Sequence, residues 1–379
     1  QRQMCIRDRK RAEESVDLEL PTPDLRHLRN MTDDTGILQH AIYGTPDRQH
    51  GYTTDDNARA LIASLLYWDL RHDDTVLPLV QTYLAFLNDA FNRAHQRFRN
   101  FMSYERRWLE EVGSEDCHAR ALWALGVATA RAPNESVLSM ATRLFSEALS
   151  AVLTFKNPRP WAFAIIGIHA YLERFRGDAD ARRARADLAQ RLFTLFRKGA
   201  SEDWPWCEDV VTYANARLPH ALLMAGQWVP NPRMTQQALS SLEWLLKVQT
   251  GENGQLSVIG NQGWMTRDGV RARFDQQPIE VMGLVDACAE AYRVTGDPMW
   301  LAEVQRCLDW FLGRNDLEVS LYDFSTGGCC DGLHPHGPNA NRGAESTLAW
   351  LISLTTVHHV MGRKALKEPV AGETLDSRD

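Results

Sequence analysis

The densest group of reactive side chains in this 379-residue chain is H-G-Y-T-T-D-D-N-A-R, where His50, Tyr52, Asp55, Asp56, Asn57 and Arg59 fall at the start of a helical pattern. Thr53 followed three residues later by Asp56 matches a capping box, which gives one carboxylate a structural use. It leaves the second carboxylate, the histidine and the tyrosine unexplained. A late segment, from L-Y-D-F-S to N-R-G-A-E-S-T, brings Asp323, Asp331, His334, His336, Asn339, Asn341 and Glu345. Its glycines permit tight turns and close backbone approach. Glu345 falls in the first turns of an otherwise apolar helix, for which Asn341 is the better cap. A carboxyl in an apolar setting has a raised pKa, as a general acid needs. Glycoside cleavage requires one protonated and one ionised carboxylate on opposite sides of the bond. The leading pair takes one member from Asp55 or Asp56 and the other from Glu345. Asp209, Glu280 and Asp331 stand in reserve.

Four further polar loops lie between these two. In the first, D-C-H-A-R-A-L echoes D-D-N-A-R-A-L, so Arg59 and Arg120 occupy equivalent places and are expected to pair with carboxylates across units. Asp116 and His118 come with Arg120, and Tyr104, Glu105 and Trp108 can line a sugar subsite. The competing use of Glu115 and Asp116 is to favour a helix N-terminus through its dipole. N-P-R-P-W-A supplies Arg159 and Trp161. D-W-P-W-C-E-D-V-V-T-Y-A-N-A-R supplies Trp204, Trp206, Glu208, Asp209, Tyr213 and Arg217. Indole faces stack on the apolar faces of sugars and carboxylates accept from hydroxyls, while the competing reading of the tryptophans is core packing. The last of the four brings Asp275, Gln276, Gln277 and Glu280, with Pro278 suited to a first helical position and Glu280 to a cap. His334-x-His336 alone is a weak metal signal, and no metal or cofactor is expected.

The elements that must carry these loops are helical. From about Thr35 onward the apolar spacing is that of helices, as at Ala58, Leu61, Ile62, Leu65 and Leu66. A helix is expected over 76–91, then pairs at 115–130 with 134–153, 159–175 with 180–198, 211–227 with 232–248, and 277–295 with 297–313. A last helix runs over 343–360. Six units give about 56 residues each, a length suited to paired helices. Links within pairs are short, and links between pairs are long and rich in Trp, His, Asp and Gly. Long loops of that kind are usually functional. If the first helix of each pair stands in an inner ring, all the long loops gather at one end. The expected fold class is therefore all-α, an (α/α)6 toroid of six helical hairpins. Eleven helices are clear, and the twelfth must come from Thr35–Tyr43 or from the C-terminal tail.

The strings HGYTTDDNARAL, FDQQPIEVMGLVDA and GGCCDGL with NANRGAESTLAWL resemble a bacterial family of the six-hairpin (α/α)6 glycosidase superfamily. Members are often labelled glycosyltransferases; some are fused behind a glycosyltransferase domain and others sit beside β-mannoside phosphorylases. The resemblance covers most of the chain after about residue 25. It implies a carbohydrate-active enzyme, most directly a glycoside hydrolase acting with inversion on an oligosaccharide such as a mannoside. Three other functions fit the same toroid. An epimerase or isomerase would use His118, His220, His334 or His336. A phosphorylase would hold phosphate with Arg59, Arg217, Arg273 or Arg342. A non-catalytic module would bind glycan for an attached transferase.

Composition agrees with a globular enzyme. With 42 Lys and Arg against 49 Asp and Glu, the net charge is −7, which speaks against a nucleic-acid partner. No run of 18 uninterrupted apolar residues is present, so no membrane span is expected. The seven cysteines have no C-x-x-C or zinc-like spacing, which is read as a reduced, cytoplasmic protein with buried thiols. Residues 1–9, QRQMCIRDR, fit a sequencing adaptor rather than biology. Residues 10–27 read as a linker, 28–365 as the toroid and 366–379 as a polar tail. A preceding glycosyltransferase domain is an expected partner.

Overall fold

The computed structural model describes residues 20–367. The readings of 1–9, of 10–19 in the linker and of 368–379 in the tail lie outside the described residues. Twelve α-helices are present among the described residues. Six form an inner ring: α2 (Thr54–Arg71), α4 (Glu115–Ala130), α6 (Pro158–Arg174), α8 (Arg217–Gly226), α10 (Pro278–Thr295) and α12 (Ala344–Lys367). Each packs on the next, and α12 closes onto α2. Outside them stand α3 (Leu77–Ala90), α5 (Glu135–Leu149), α7 (Ala179–Gly199), α9 (Pro232–Val248) and α11 (Met299–Phe311), each against the inner helix before it. The inner helices are buried on nearly every side, as α4 shows from Cys117 to Thr129. The outer ones bury a single stripe, as α5 does with Val137, Ala141, Leu144, Phe145 and Ala148. The stretch Glu135–Thr154 is long and apolar enough by composition to cross a membrane; here it serves as that outer helix and the turn after it.

The twelfth helix is neither of the two expected. It is α1 (Arg26–Met31), which packs outside α12 and completes the sixth hairpin from the two ends of the domain. The fold therefore begins inside the expected linker: Leu25 and His27 are buried, and His27 Nε2 lies 2.8 Å from the Arg342 carbonyl oxygen. Thr35–Tyr43 instead enters a β-hairpin. Strand β1 (Leu38–Ile42) pairs antiparallel with β2 (Thr45–Thr53), turning at Tyr43-Gly44 with Tyr43 at positive φ. β2 also pairs with the short strand Phe101–Met102, so Thr53 lies opposite Phe101. Gly51 is required there: its φ is +68°, and a Cβ would lie 2.2 Å from the Met102 carbonyl oxygen. These strands escaped the helical periodicity because their buried residues are few and irregularly spaced.

The packing of α4 on α6 depends on a glycine contact. A Cβ on Gly126 of α4 would meet the Gly167 oxygen at 2.0 Å, and one on Gly167 of α6 would meet Trp123 Cα at 2.6 Å. The two backbones touch because neither position has a side chain. Gly283 of α10 has only Ala216 Cβ at 3.5 Å and Arg217 Nε at 3.9 Å nearby. Helix propensity favours alanine over glycine by about 1 kcal/mol at an interior site. Gly283→Ala should therefore be neutral or slightly stabilising. Gly126→Ala and Gly167→Ala should each cost about 1–3 kcal/mol, since the helices must separate. Urea unfolding of the three variants checks this; stabilisation of all three would contradict the close approach.

Candidate functional site

The long loops converge where the inner helices begin. There a cleft of about 280 Å³ is lined by Asp55, Asp56 and Arg59 from α2, by Asp331, Glu345 and Ser346, and by Gln39, His40, Phe101 and Gln277. The start of α2 sets the geometry. Thr53 Oγ accepts from the Asp56 amide at 3.0 Å and donates to Asp56 Oδ2 at 2.7 Å. Asp56 Oδ1 accepts from Arg59 at 2.7 Å. Both oxygens of Asp56 are thereby committed to the cap and the ion pair. Asn100 holds the same helix start from outside, its carbonyl accepting from the Thr54 amide at 2.8 Å.

Asp55 is placed differently. Its side chain is four-fifths buried, and Oδ1 has no hydrogen-bond partner. Oδ2 faces Arg120 of α4 at 3.4 Å. Burial pushes its carboxyl above the usual range; Arg120 and Arg59 oppose this, and the Asp56 and Asp116 carboxylates add to it. Arg120 reaches on to Asp116 at 3.6 Å, and Asp116 Oδ2 accepts from the Tyr213 hydroxyl at 2.9 Å. Burial and Asp116 push that phenol up to about 12. Arg59 meets Glu345 of α12 at 3.0 Å. Burial works against the Arg59 charge, but the Glu345, Asp56 and Asp55 carboxylates outweigh it. Arg59 and Arg120 thus do hold carboxylates across neighbouring hairpins.

Glu345 is not in the apolar setting expected of it: its side chain is 44% exposed and faces Arg59. The buried acids of the cleft are Asp56, spent on the cap and Arg59, and Asp55, whose side chain is four-fifths buried. The cap of α12 also differs from expectation. Asp331 Oδ1 accepts from the Gly343 amide at 2.6 Å and from Ser346 Oγ at 2.9 Å. Asn341 instead accepts from the Tyr43 amide at 2.9 Å, which ties the β1–β2 turn to this loop. Glu280 is a structural group, buried and accepting from the Ala214 and Asn215 amides at 2.5 and 3.2 Å. Burial raises its pKa despite those bonds. Asp209 is 89% exposed and lies outside the cleft.

Several expected sugar-binding residues prove to be packing groups. Trp206 is fully buried and stacks on Trp244 at 6.0 Å; Trp204 is buried and donates to the Glu208 carbonyl. Trp161 lies with Asp187, Arg191 and Lys198 on the outer wall. Tyr52 is buried and donates to Asp33, and Tyr104 stacks on it at 6.3 Å. Asn57 is buried, accepting from Ile37 and donating to Thr53. Gln276 is buried against Trp310, Val258 and Asp316. Arg217 is buried within the ring, paired with Asp286 at 2.7 Å. Arg273 and Arg342 pair with Asp316 and Asp323, so the four arginines named for phosphate are dispersed on separate carboxylates.

The histidines sort by burial. His118 lies between Phe98 and Phe155 with both ring nitrogens engaged, by the Phe98 amide and the Ala148 carbonyl. Burial lowers its pKa to about 3. Burial, Arg217 and His169 hold His220 well below the usual range. Neither can exchange protons with a substrate near neutral pH. His334 faces Asp275 at 3.3 Å, whose carboxyl is raised by burial, and His336 is exposed. His50 is half-exposed near Asp47 and packs edge-on against His40 at 4.8 Å.

No family profile matches the sequence, and no curated protein is similar to it. Solved structures do match. A cellobiose 2-epimerase from Bacillus thermoamylovorans superposes with a TM-score of 0.70 at 12% identity, over 89% of this chain and 96% of the other. A GH76 α-mannanase of Bacteroides thetaiotaomicron does so at 0.63 and 12%, over 90% and 94%. An inactive variant of a GH76 α-1,6-mannanase from a Salegentibacter species, with two consecutive aspartates replaced and mannotetrose bound, gives 0.61 and 12%, over 88% and 97%. At such identities the likeness is one of fold, and the fold is the (α/α)6 toroid.

Sequence reasoning missed Gln39, His40, Asn100 and Phe101, which reach the cleft through the pairing of β1, β2 and Phe101–Met102. Gln277, from the loop that precedes α10, also lines the cleft. Among the described residues no group of three or more His, Cys, Asp or Glu is arranged to hold a metal.

Buried His118 makes a prediction for stability. Its folded pKa lies below its unfolded value, so unfolding takes up a proton in acid. Its contribution is complete above the unfolded pKa of about 6.5 and is lost as pH falls towards about 3, at up to about 1.4 kcal/mol per pH unit. Urea midpoints between about pH 7 and 4 should fall less steeply in His118→Gln than in the parent. Equal slopes would contradict a neutral buried imidazole.

Proposed function

We propose that the chain is a carbohydrate-active enzyme and, more narrowly, a glycoside hydrolase that cleaves an oligosaccharide between Asp55 and Glu345. The observation that carries this reading is the division of labour at Asp55-Asp56. Asp56 is fully engaged by Thr53 and Arg59, whereas Asp55 keeps one buried oxygen free of any partner. A buried carboxyl oxygen without a donor favours the protonated acid. Glu345, open to solvent on the neighbouring helix and held by Arg59, suits the base.

In this reading Asp55 gives its proton to the glycosidic oxygen as the carbon–oxygen bond breaks. Glu345 takes a proton from the water whose oxygen bonds to the anomeric carbon. That route inverts the anomer, which is also what the superfamily resemblance implies. Further support comes from the mannanase of like fold, which is inactive when two consecutive aspartates are replaced. An α-mannoside is accordingly the first substrate to try. We also read the setting as cytoplasmic and the substrate as a short glycan; the six described cysteines, all buried free thiols, fit a reducing environment.

A second reading rests on His40. It lines the cleft beside His50, and epimerases and an isomerase share the fold. An epimerase would interconvert sugars without shortening a chain and would need His40.

The test is incubation with manno- and gluco-oligosaccharides, with and without phosphate, followed by chromatography and proton NMR of the first-formed anomer. Asp55→Asn and Glu345→Gln should each lower kcat about a hundred- to ten-thousandfold with KM little changed. The parent's rate should fall on the alkaline side as Asp55 loses its proton, at a pH above the usual carboxylate range. Full turnover by both variants would overturn the assignment, phosphate dependence would move it to phosphorolysis, and isomerised products lost in His40→Asn would favour the second reading.

A further inference from the structure

At the end of the toroid away from the cleft, a pocket of about 270 Å³ opens between the close of α6, the start of α7 and the link from α8 to α9. Glu173 and Arg176 line it from the first, Arg182 and Arg185 from the second and Trp228 from the third. It shares no lining residue with the cleft.

Arg185 decides what this pocket can hold. Five arginines are buried among the described residues, and four have carboxylate partners: Arg59 with Asp56, Arg120 with Asp55, Arg159 with Glu208 and Arg217 with Asp286. The fifth, Arg185, is 7% exposed and has no carboxylate partner among the described residues; its Nε is buried without a hydrogen bond. Its guanidinium lies over the Trp228 ring at 5.4 Å. A guanidinium stacked in this way keeps its N–H groups in plane for another partner. Burial and the neighbouring Arg182 charge lower its pKa to about 10, and no carboxylate opposes them, so at neutral pH it is still a cation. A charge buried without a counterion is strongly destabilising, and an anion from outside the chain would supply one. The other lining groups point the same way. Arg176 and Arg182 are exposed and form no ion pair among the described residues. His169, at the inner wall, is neutral, its pKa lowered to about 4 by burial, Arg185 and Arg293. The one lining carboxylate, Glu173, is exposed and acts on Arg293. Three guanidinium charges thus stand against one carboxylate, an excess of two that matches a dianion. Paired guanidinium N–H groups fit two oxygens of one phosphate. Trp228, 60% exposed, offers an apolar surface to whatever carries that phosphate.

We propose that this pocket is a second ligand site, separate from the cleft, for a phosphate dianion, free or as the monoester of a small molecule, with Arg185 as its anchor and Arg176 and Arg182 beside it. The proposal does not depend on the hydrolase reading, because the pocket lies at the far end from Asp55 and Glu345.

The test titrates the full chain by calorimetry at about pH 7.5, where a phosphate is mostly dianionic, with inorganic phosphate, mannose 6-phosphate and succinate. Binding is read directly, so the outcome is independent of turnover. At least one phosphate should saturate with a Kd below about 1 mM and bind about tenfold tighter than succinate. Tighter binding of the ester identifies a phosphorylated metabolite as the ligand, and equal or tighter binding of inorganic phosphate identifies the free ion. Arg185→Met keeps the apolar stem and removes the charge; it should weaken phosphate binding at least about tenfold. The unliganded Arg185→Met chain should be no less stable to urea than the parent, since it loses an unpaired buried charge. Phosphate at about 10 mM should raise the urea midpoint of the parent and leave that of Arg185→Met in place. Asp55→Asn should bind phosphate as the parent does. If Arg185→Met does not give a native circular dichroism spectrum, the surface double variant Arg176→Gln with Arg182→Gln decides. No saturable binding of either phosphate, succinate bound as tightly as phosphate, or phosphate binding unchanged in the deciding variant would overturn the proposal.

Discussion

The site depends on one buried cation. Arg59 is 3% exposed and stands between Asp56 of its own helix and Glu345 of the last helix. Removing a guanidinium from water costs several kcal/mol unless good partners are present. Two carboxylates reach its Nη2, while Nε and Nη1 are buried without a partner, and this contact joins the first inner helix to the last at the point where the ring closes. The same contact fixes Asp56 in the cap of α2 and brings Glu345 to the rim. With Asp56 thus occupied, Asp55 is left as the carboxyl with a free oxygen. Arg120 repeats the device one hairpin on, linking Asp55 to Asp116 and Tyr213.

The rest of the toroid serves this end of the ring. The Gly126–Gly167 contact brings α4 and α6 close together. The β1–β2 hairpin, tied to Asn341 and to Phe101–Met102, forms the wall that carries His40 and Phe101. Arg217 and Asp286 pair within the ring, and Asp286 lines a separate cavity of about 380 Å³ at the end where the inner helices terminate. One chain closing on itself thereby makes two chemically distinct openings: a charged cleft where helices begin and a half-apolar cavity where they end.

Much of this was legible in the sequence. The hairpins follow from apolar residues at helical spacing, and the echo of D-D-N-A-R in D-C-H-A-R placed Arg59 and Arg120 correctly as a repeated device. Other features were not, for identifiable reasons. Sequence gives Asp55 and Asp56 the same chemistry; only the directions of the side chains separate the capping group from the free one. Trp204 and Trp206 have the amphipathic character of sugar platforms, and the neighbouring Trp244 claims them for the core. Glu345 follows an apolar pattern along its helix, yet the helix start lies at the cleft mouth. His40, Asn100 and Phe101 reach the site through strand pairing between segments about 50–60 residues apart, which no local periodicity records.

The central claim is that burial holds the Asp55 carboxyl above the usual carboxylate range while Asp56 beside it is spent on structure. Carbon-13 NMR of aspartate-labelled protein measures it directly, with Asp55→Asn used to assign the Asp55 carboxyl signal. The account predicts that this signal titrates above the range of ordinary carboxylates. An Asp55 signal already ionised at about pH 4, like that of an exposed aspartate, would contradict it.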